Sequence, residues 1–410
     1  MHIQRVVVTG MGAVSPYGCG IENLWNGLLE GRSAITRLTE LEGIAGLRPR
    51  IGGRVPDCDA SAIPRKFRRT MSDLSIFASL AALEAVKQAG ITQEQLTDRG
   101  TGLSVGSTTG SAKMMEHFFS HYINEHSIEG IRSTEFFKIM NHSCAANLAQ
   151  FLDITGRVVS VSAACSTGCQ NIGLAAEAIA YGKQDIMLCG GTDELHPLTI
   201  GTFDILEAAS ISGEKHPETA SRPFDSKRDG IVCSEGAGII VLENYDSARK
   251  RGAEILAEIS GFASLCDSSN MASPSQKAIG RCMQEAISES CISVDKIDYI
   301  NAHATGTLQG DASEAQAIST ELDSKAPVSS LKGHLGHTMA ASGAIETIAT
   351  IQMMQEETII PTANLRNPDP LCASINNTLQ LERRKITYAL KNNFALGGIN
   401  TSLVLRRIND

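Results

Sequence analysis

The 410-residue sequence has no CxxC pair, no excess of positive charge and no apolar run approaching the roughly 20 residues that a membrane helix needs. Each absence removes a class of function. A net charge of −9 excludes a general nucleic-acid binder. The missing apolar run excludes a helical membrane protein, and the opening MHIQRVVVTG goes directly into a strand-like run, so no secretory leader is expected. Eleven cysteines, an odd number scattered without CxxC spacing, predict free thiols in a reducing, cytoplasmic setting, one or more of them reactive. What is present is ordinary for a globular chain: 42% hydrophobic and 20% charged residues, with nothing that points to wholesale disorder. The length suits two or three average domains or one large double α/β unit.

The most informative stretch spans residues 158–191. A short β-branched run (158–161) precedes small residues and Cys165, an Ala/Gly-rich segment ends near Gly182, and a second apolar run covers 186–189. This predicts strand, tight turn, helix, strand, with Cys165 at or beside the helix N-terminus. The positive end of the helix dipole would stabilise a thiolate there. Ala163, Ala164 and Gly168 leave room for a substrate. Taken alone, the stretch fits a buried, inert core cysteine equally well.

Elsewhere, the strand at residues 5–9 leads into GMGAVSPYG. Gly10 and Gly12 resemble the opening of a dinucleotide fingerprint, but Ser15 stands where the third glycine belongs and Pro16 interrupts the helix start, so a nucleotide site is weakly supported. Trp25, the only tryptophan, falls in a predicted helix (21–30) and reads as a core anchor. Arg65, Lys66, Arg68 and Arg69 form a local basic knot that suits an acidic partner or, more simply, a solvated face. Residues 114–140, rich in phenylalanine and histidine without a clean period, fit either the wall of an apolar pocket, the reading preferred here, or a packed insertion.

After Ile255 the βαβ pattern starts again. One strand runs into His303 with Thr305, Thr307 and Gly310 behind it, and another enters a glycine turn with Lys332 and His337 before a long helix. Two halves, 1–254 and 255–410, therefore predict an internally duplicated α/β fold with a site at their junction. Cys165, His303 and His337, each at a strand end in a Gly-rich turn, make a coherent set. Zinc could take these three, with His334 and His337 at plausible spacing, but no second cysteine flanks the first except Cys169 one turn on. A Cys/His hydrolase lacks an evident orienting carboxylate. Two imidazole N–H donors are better suited to holding a carbonyl oxygen while charge builds on it.

The combination of ACSTG at Cys165, NAHATGT at His303, LKGHLGHTMAASG around Lys332 and His337, SRPFDSKRDG and the terminal GG turn resembles the β-ketoacyl-acyl carrier protein synthases, in the synthase I/II branch of the thiolase superfamily. The resemblance runs from VVVTGMGAVSP to NTSLVL. It implies a thiolase-like five-layered αβαβα fold and a homodimer, or a dimer with a related subunit. It implies that Cys165 takes an acyl chain from an acyl carrier protein and that His303 and His337 hold the malonyl thioester carbonyl. The oxyanion hole would be the N–H groups of Cys165 and Leu396, with Lys332 tuning the site and Glu314 supporting it. Thr305 and Thr307 would bind the pantetheine arm. Thr109, Phe203, Phe394 and Leu396 would shape the acyl pocket and gate, and Arg65, Lys66, Arg68 and Arg69 would dock the carrier. No metal and no free cofactor are implied, because phosphopantetheine arrives on the carrier.

The chain departs from the family at several points. The gate, usually Phe-Gly-Phe-Gly-Gly, is Phe394, Ala395, Leu396, Gly397, Gly398; Ile231 and Ser234 stand where Phe and Gly are common; Thr109 lies near the position where a bulky apolar residue often limits the pocket; His334 matches no family role. These departures suggest a specialised synthase making a polyene or polyketide chain. A non-catalytic chain-length-setting partner would be expected to lack the cysteine, which is present. A dinucleotide-dependent oxidoreductase would rest on Gly10 and Gly12 alone.

Overall fold

The computed structural model describes residues 3–408. One mixed sheet of twelve strands runs through the molecule. Ten strands carry the architecture: β1 (Val6–Ser15), β2 (Thr101–Gly106), β3 (Val158–Val159), β4 (Ile186–Asp193), β5 (Gly236–Asn244), β6 (Ala257–Cys266), β7 (Tyr299–Asn301), β8 (Pro327–Ser329), β9 (Tyr388–Phe394) and β10 (Ile399–Arg406). The first five lie in the order β3-β2-β4-β5-β1 and the second five in the order β8-β7-β9-β10-β6. The order is the same in both, and so is the pattern of parallel and antiparallel pairs. The two sets join where β1 meets β6 antiparallel at Val6, Val7 and Val8.

Four helices complete the layers: α1 (Asp73–Ala89), α2 (Thr167–Ala180), α3 (Gln276–Glu289) and α4 (Ser342–Glu356). α1 covers the outer face of the first strand set and α3 that of the second, while α2 and α4 lie between them. This is the five-layered αβαβα thiolase-like fold. It divides the apolar core into a central cluster around α2 and α4 and two outer clusters under α1 and α3. Strands covered on both faces read as continuous apolar runs, as β1 and β4 do, each buried along its whole length. A helix buried nearly all round must likewise be Ala/Gly/Ile-rich, as α4 is.

Gly10 and Gly12 now have a different explanation from the dinucleotide one. A Cβ at Gly12 would stand 1.9 Å from Ala81 O, and one at Gly10 2.2 Å from Ala85 O. They let α1 lie close on β1, just as Gly261 on β6 admits α3, its Cβ position lying 2.2 Å from Ala286 O.

The duplication also reaches the turns before the central helices. Ala164 precedes Cys165 with φ 46°, and Met339 precedes Ala340 with φ 51°. The helices cross tightly at Gly168 and Gly343, where a Cβ on Gly343 would stand 2.3 Å from Cys169 N. That crossing brings the cysteine turn of one half against residues 337–341 of the other. Gly343→Ala should therefore lower the unfolding free energy by about 2–3 kcal/mol, the scale of an overpacked core. A urea midpoint unchanged from the parent would contradict this packing.

Two expectations are corrected. Cys19 and Cys58, 39 residues apart, are joined by a disulfide, so nine rather than eleven cysteines are free. The strand that turns back on β1 carries Cys19 to Cys58 beside the outer core under α1, a juxtaposition that sequence spacing does not signal. Cysteine usage alone therefore does not carry a reducing setting. Residues 114–140 form helices Ala112–Glu125 and Ser133–Ile139 that present Phe119, Tyr122, Ile123, Phe136 and Phe137 to solvent and do not wall the cavity at Cys165. Among the described residues no helix is long and apolar enough to cross a membrane.

Candidate active site

Cys165, His303 and His337 converge at the junction of the halves. The cysteine sulfur and a ring nitrogen of each histidine lie within 4.8 Å of one another, and all three residues are buried. The two imidazoles stand edge to face with centroids 5.4 Å apart, and Phe394 packs edge-on to His303 at 6.2 Å. They line an open cavity of about 410 Å³ whose walls include Phe203, Thr305, Thr307, Leu396 and Ile231.

Hydrogen bonds fix the state of each ring. Met339 N–H donates to His337 Nδ1 at 3.2 Å, and a backbone amide can only donate. The proton of neutral His337 therefore sits on Nε2, which is buried and has no partner among the described residues. At His303, Nδ1 faces Asn393 Nδ2 at 3.3 Å, giving the same Nε2–H form. Burial, and then the cations Lys332 and Lys391, hold both rings well below the usual imidazole range, with His337 also acting on His303. Both are thus neutral N–H donors at pH 7. A metal ligand needs a free ring nitrogen, and on each ring Nδ1 already accepts an N–H while Nε2 carries the proton, so this set fits an oxyanion better than zinc. His334 lies outside it, its buried Nε2 bonded to Pro361 O at 2.9 Å.

The supporting groups come from both halves. Glu314 Oε1 and Oε2 accept the N–H groups of His303 and Ala304 at 2.9 and 2.7 Å, while Asp311 Oδ1 accepts those of Thr305 and Gly306. Burial pushes the Glu314 carboxyl up to about 7. His337 is held by the 231–235 loop, whose Val232 O accepts its N–H at 2.7 Å and whose Ser234 N–H donates to His337 O at 2.8 Å. Asp193 accepts Thr108 N–H at 3.0 Å and Ala340 N–H at 2.8 Å, tying the β2 turn to the histidine turn. Lys332 is fully buried with Nζ 2.6 Å from Glu346 Oε1, a close ion contact at an angle outside good hydrogen-bond geometry. Burial lowers its pKa and Glu346 opposes the shift.

The thiol differs from expectation. Burial pushes Cys165 up to about 12, with Lys332 acting in the opposite direction. A helix end worth a fraction of a charge does not offset removal of the sulfur from water, so the resting group is a neutral thiol. Alkylation of Cys165 by iodoacetamide, followed by peptide mass spectrometry, should accelerate about tenfold per pH unit between pH 6 and 9, because the thiolate fraction rises that steeply below the pKa. A rate that levels off below pH 8 would contradict this.

The remaining expected residues fall in several places. Thr305 and Thr307 meet through their hydroxyls at 3.3 Å on the cavity wall. Thr109 is exposed and outside that wall. Arg65, Lys66, Arg68 and Arg69 are all exposed on and beside the short helix Arg65–Arg68, with Phe67 anchored edge-on to Phe151. Asn393, Lys391, Glu346, Asp311 and Asp193 were not anticipated. The polar run 391–393 inside an otherwise apolar strand, and Glu346 in the apolar first half of a helix, are the signals that could have revealed three of them.

A five-layered thiolase-like fold with one cysteine and two donor histidines at its junction defines a class, the condensing acyltransferases. Family models agree: "Beta-ketoacyl synthase, N-terminal domain" matches residues 4–248 and "Beta-ketoacyl synthase, C-terminal domain" matches residues 256–366. The 3-oxoacyl-[acyl-carrier-protein] synthase 1 of Escherichia coli K12 is 35% identical over 411 residues, covering 100% of both chains. A beta-ketoacyl synthase structure from Burkholderia phymatum STM815 superposes with a TM-score of 0.96 at 38% identity, covering 99% of this chain and 100% of that one. The ishigamide ketosynthase/chain length factor structure gives 0.91 at 29% identity, with coverage of 99% and 100%. The chain belongs to the beta-ketoacyl synthase family.

Proposed function

We propose that the protein catalyses decarboxylative condensation of a cysteine-bound acyl chain with malonyl-acyl carrier protein. The observation that carries this reading is the pair of neutral Nε2–H imidazoles beside Cys165 in an open cavity. In the first step Sγ of Cys165 attacks the acyl-carrier thioester carbonyl, the carbon–sulfur bond to pantetheine breaks, and the thiol proton ends on the departing sulfur. In the second, His303 and His337 hold the malonyl thioester oxygen while the C–C bond to the carboxylate breaks. CO2 leaves and the electron pair becomes an enolate. The enolate carbon then attacks the acyl-Cys165 carbonyl, whose oxyanion is met by the N–H groups of Cys165 and Leu396. Collapse expels the cysteine thiolate, which regains a proton, and the product is a β-ketoacyl chain two carbons longer. Lys332 and Glu314 hold the histidine turns, and Thr305 and Thr307 receive the pantetheine arm, which arrives on the carrier and makes a free cofactor unnecessary. Arg65, Lys66, Arg68 and Arg69 dock the acidic carrier. The halves 1–254 and 255–410 supply the nucleophile and the two histidines, and the setting is cytoplasmic.

Mass spectrometry after incubation with malonyl carrier protein and a panel of acyl carriers tests this. An acyl adduct at Cys165 and a product two carbons longer are expected, and an adduct elsewhere or none at all would end it.

A second reading makes the chain the ketosynthase subunit of a heterodimer with a chain-length-setting partner in polyene or polyketide synthesis. The apolar face of Phe119, Tyr122, Ile123, Phe136 and Phe137 suits a related subunit, and Leu396 opens the gate to other chains. Unsaturated or β-keto acyl carriers should then turn over faster than saturated ones, and an ordinary saturated C8 to C16 preference would sink the idea.

A further inference from the structure

The mechanism above leaves one fully buried cation without a task. Lys391 lies on β9 with no exposure, and three oxygens stand within 2.8 Å of its Nζ: Asn392 O, Asn393 Oδ1 and Glu346 Oε2. An ammonium donates and has no lone pair: Asn392 O and Asn393 Oδ1 accept hydrogen bonds from it, and Glu346 Oε2 is an ion contact at an angle outside good hydrogen-bond geometry. Because Lys391 only donates, the atom it touches on Asn393 is the carbonyl oxygen. The amide nitrogen is thereby turned the other way, where it meets Cys165 O at 3.1 Å, Ser342 Oγ at 3.1 Å and His303 Nδ1 at 3.3 Å.

We propose that Lys391, acting through Asn393, is a positioning residue that holds His303 in the Nε2–H tautomer required to bind the malonyl thioester oxygen. The tautomer assignment stands on geometry, and its use in catalysis rests on the condensing reading above. Without the lysine, only Cys165 O still favours the amide nitrogen on this side, and the Asn393 amide that turns over offers its oxygen to His303 Nδ1. The ring proton would move to Nδ1, leaving a lone pair on Nε2 facing the thioester oxygen. His337 has no such weakness, because its Nδ1 partner is the Met339 backbone amide. Only one of the two imidazoles thus depends on a removable side chain.

The charged and titratable groups around the His303 ring are the cations Lys332 and Lys391, neutral His337 and the Cys165 thiol. Glu314 takes the backbone N–H of His303, not the ring. Asn393→Asp would put a carboxylate on Nδ1 and stay paired with Lys391. It raises the His303 pKa, so the Nε2 proton would be present below that pKa, in the imidazolium, and lost as pH rises through it.

The experiment is ¹⁵N NMR of histidine-labelled full-length protein, with His303 assigned by a His303→Gln variant. At pH 8 the parent should show an unprotonated Nδ1 on His303, Asn393→Asp should show Nδ1–H, and Lys391→Met should show both forms, while His337 stays the same throughout. A parent ring carrying its proton on Nδ1, or a His303 tautomer unmoved by both substitutions, would overturn the proposal. CO2 release from malonyl carrier protein is the second readout. Lys391→Met should lose about 10-fold with Cys165 acylation retained, and Asn393→Asp about 100-fold at pH 8 with recovery at pH 6, each taken as a ratio to the parent at the same pH. Parallel loss of acylation and decarboxylation at every pH would mark a purely structural role and overturn the catalytic half. A parent that releases no CO2 would remove the condensing reading, while the NMR result still decides the tautomer.

Discussion

Replacing Cys165 by alanine should abolish condensation, lowering acyl transfer by about 10⁴-fold or more, yet leave release of CO2 from malonyl carrier protein at least partly intact. The two steps use different atoms. Acyl transfer needs a sulfur at the end of the 158–165 turn, and no other free cysteine lines the cavity, Cys169 lying a turn further along α2. Decarboxylation needs only that charge on the malonyl thioester oxygen be met by two N–H donors, and neither His303 nor His337 takes its tautomer from the sulfur. Removing the thiol leaves those donors in place and frees space for the malonyl group. The resting thiol is neutral and the rings are neutral, so no ion pair between them is broken by the change.

The second large effect is at the histidines. His303→Ala and His337→Ala should each cost decarboxylation about 10²-fold or more, the scale of losing one preorganised donor to a developing oxyanion. The two losses should not add in the double variant, because both donors address one oxygen and a single remaining donor is already poorly aimed. A general-base role predicts a different pattern. A general base would make the parent rate rise with pH through an imidazole pKa, a dependence that the alanine variant would lose, whereas loss of a neutral donor lowers the rate by the same factor between pH 6 and 8. Rates of CO2 release across that range distinguish the two. Asparagine or glutamine at these positions should restore part of the loss by supplying an N–H.

Much of this site was legible in the sequence because each reactive residue sits where a strand enters a Gly-rich turn, and such turns are local signals. Cys165, His303 and His337 needed only the idea of two βαβ halves facing each other to be placed in one cavity. What sequence could not show was what surrounds them. Lys391 and Asn393 alternate along a strand whose partners lie far away in the chain, so their contacts with Glu346 and His303 exist only after α4 and the turn following β7 come against β9. The thiol's neutrality follows from depth of burial, which a helix-dipole argument from residues 158–182 does not measure. The Cys19–Cys58 disulfide depends on the strand that turns back on β1, and the aromatic helices of 112–139 face outward because nothing within the chain covers them.

The central claim is that sulfur and imidazoles divide the labour, one carrying the acyl chain and the others holding the enolate. CO2 release from malonyl carrier protein by Cys165→Ala and His337→Ala, assayed side by side on folded protein, tests it most directly. Continued release by the first and loss of about 10²-fold in the second is the predicted result. Equal loss in both, or release that survives removal of the histidine and not of the cysteine, would contradict it.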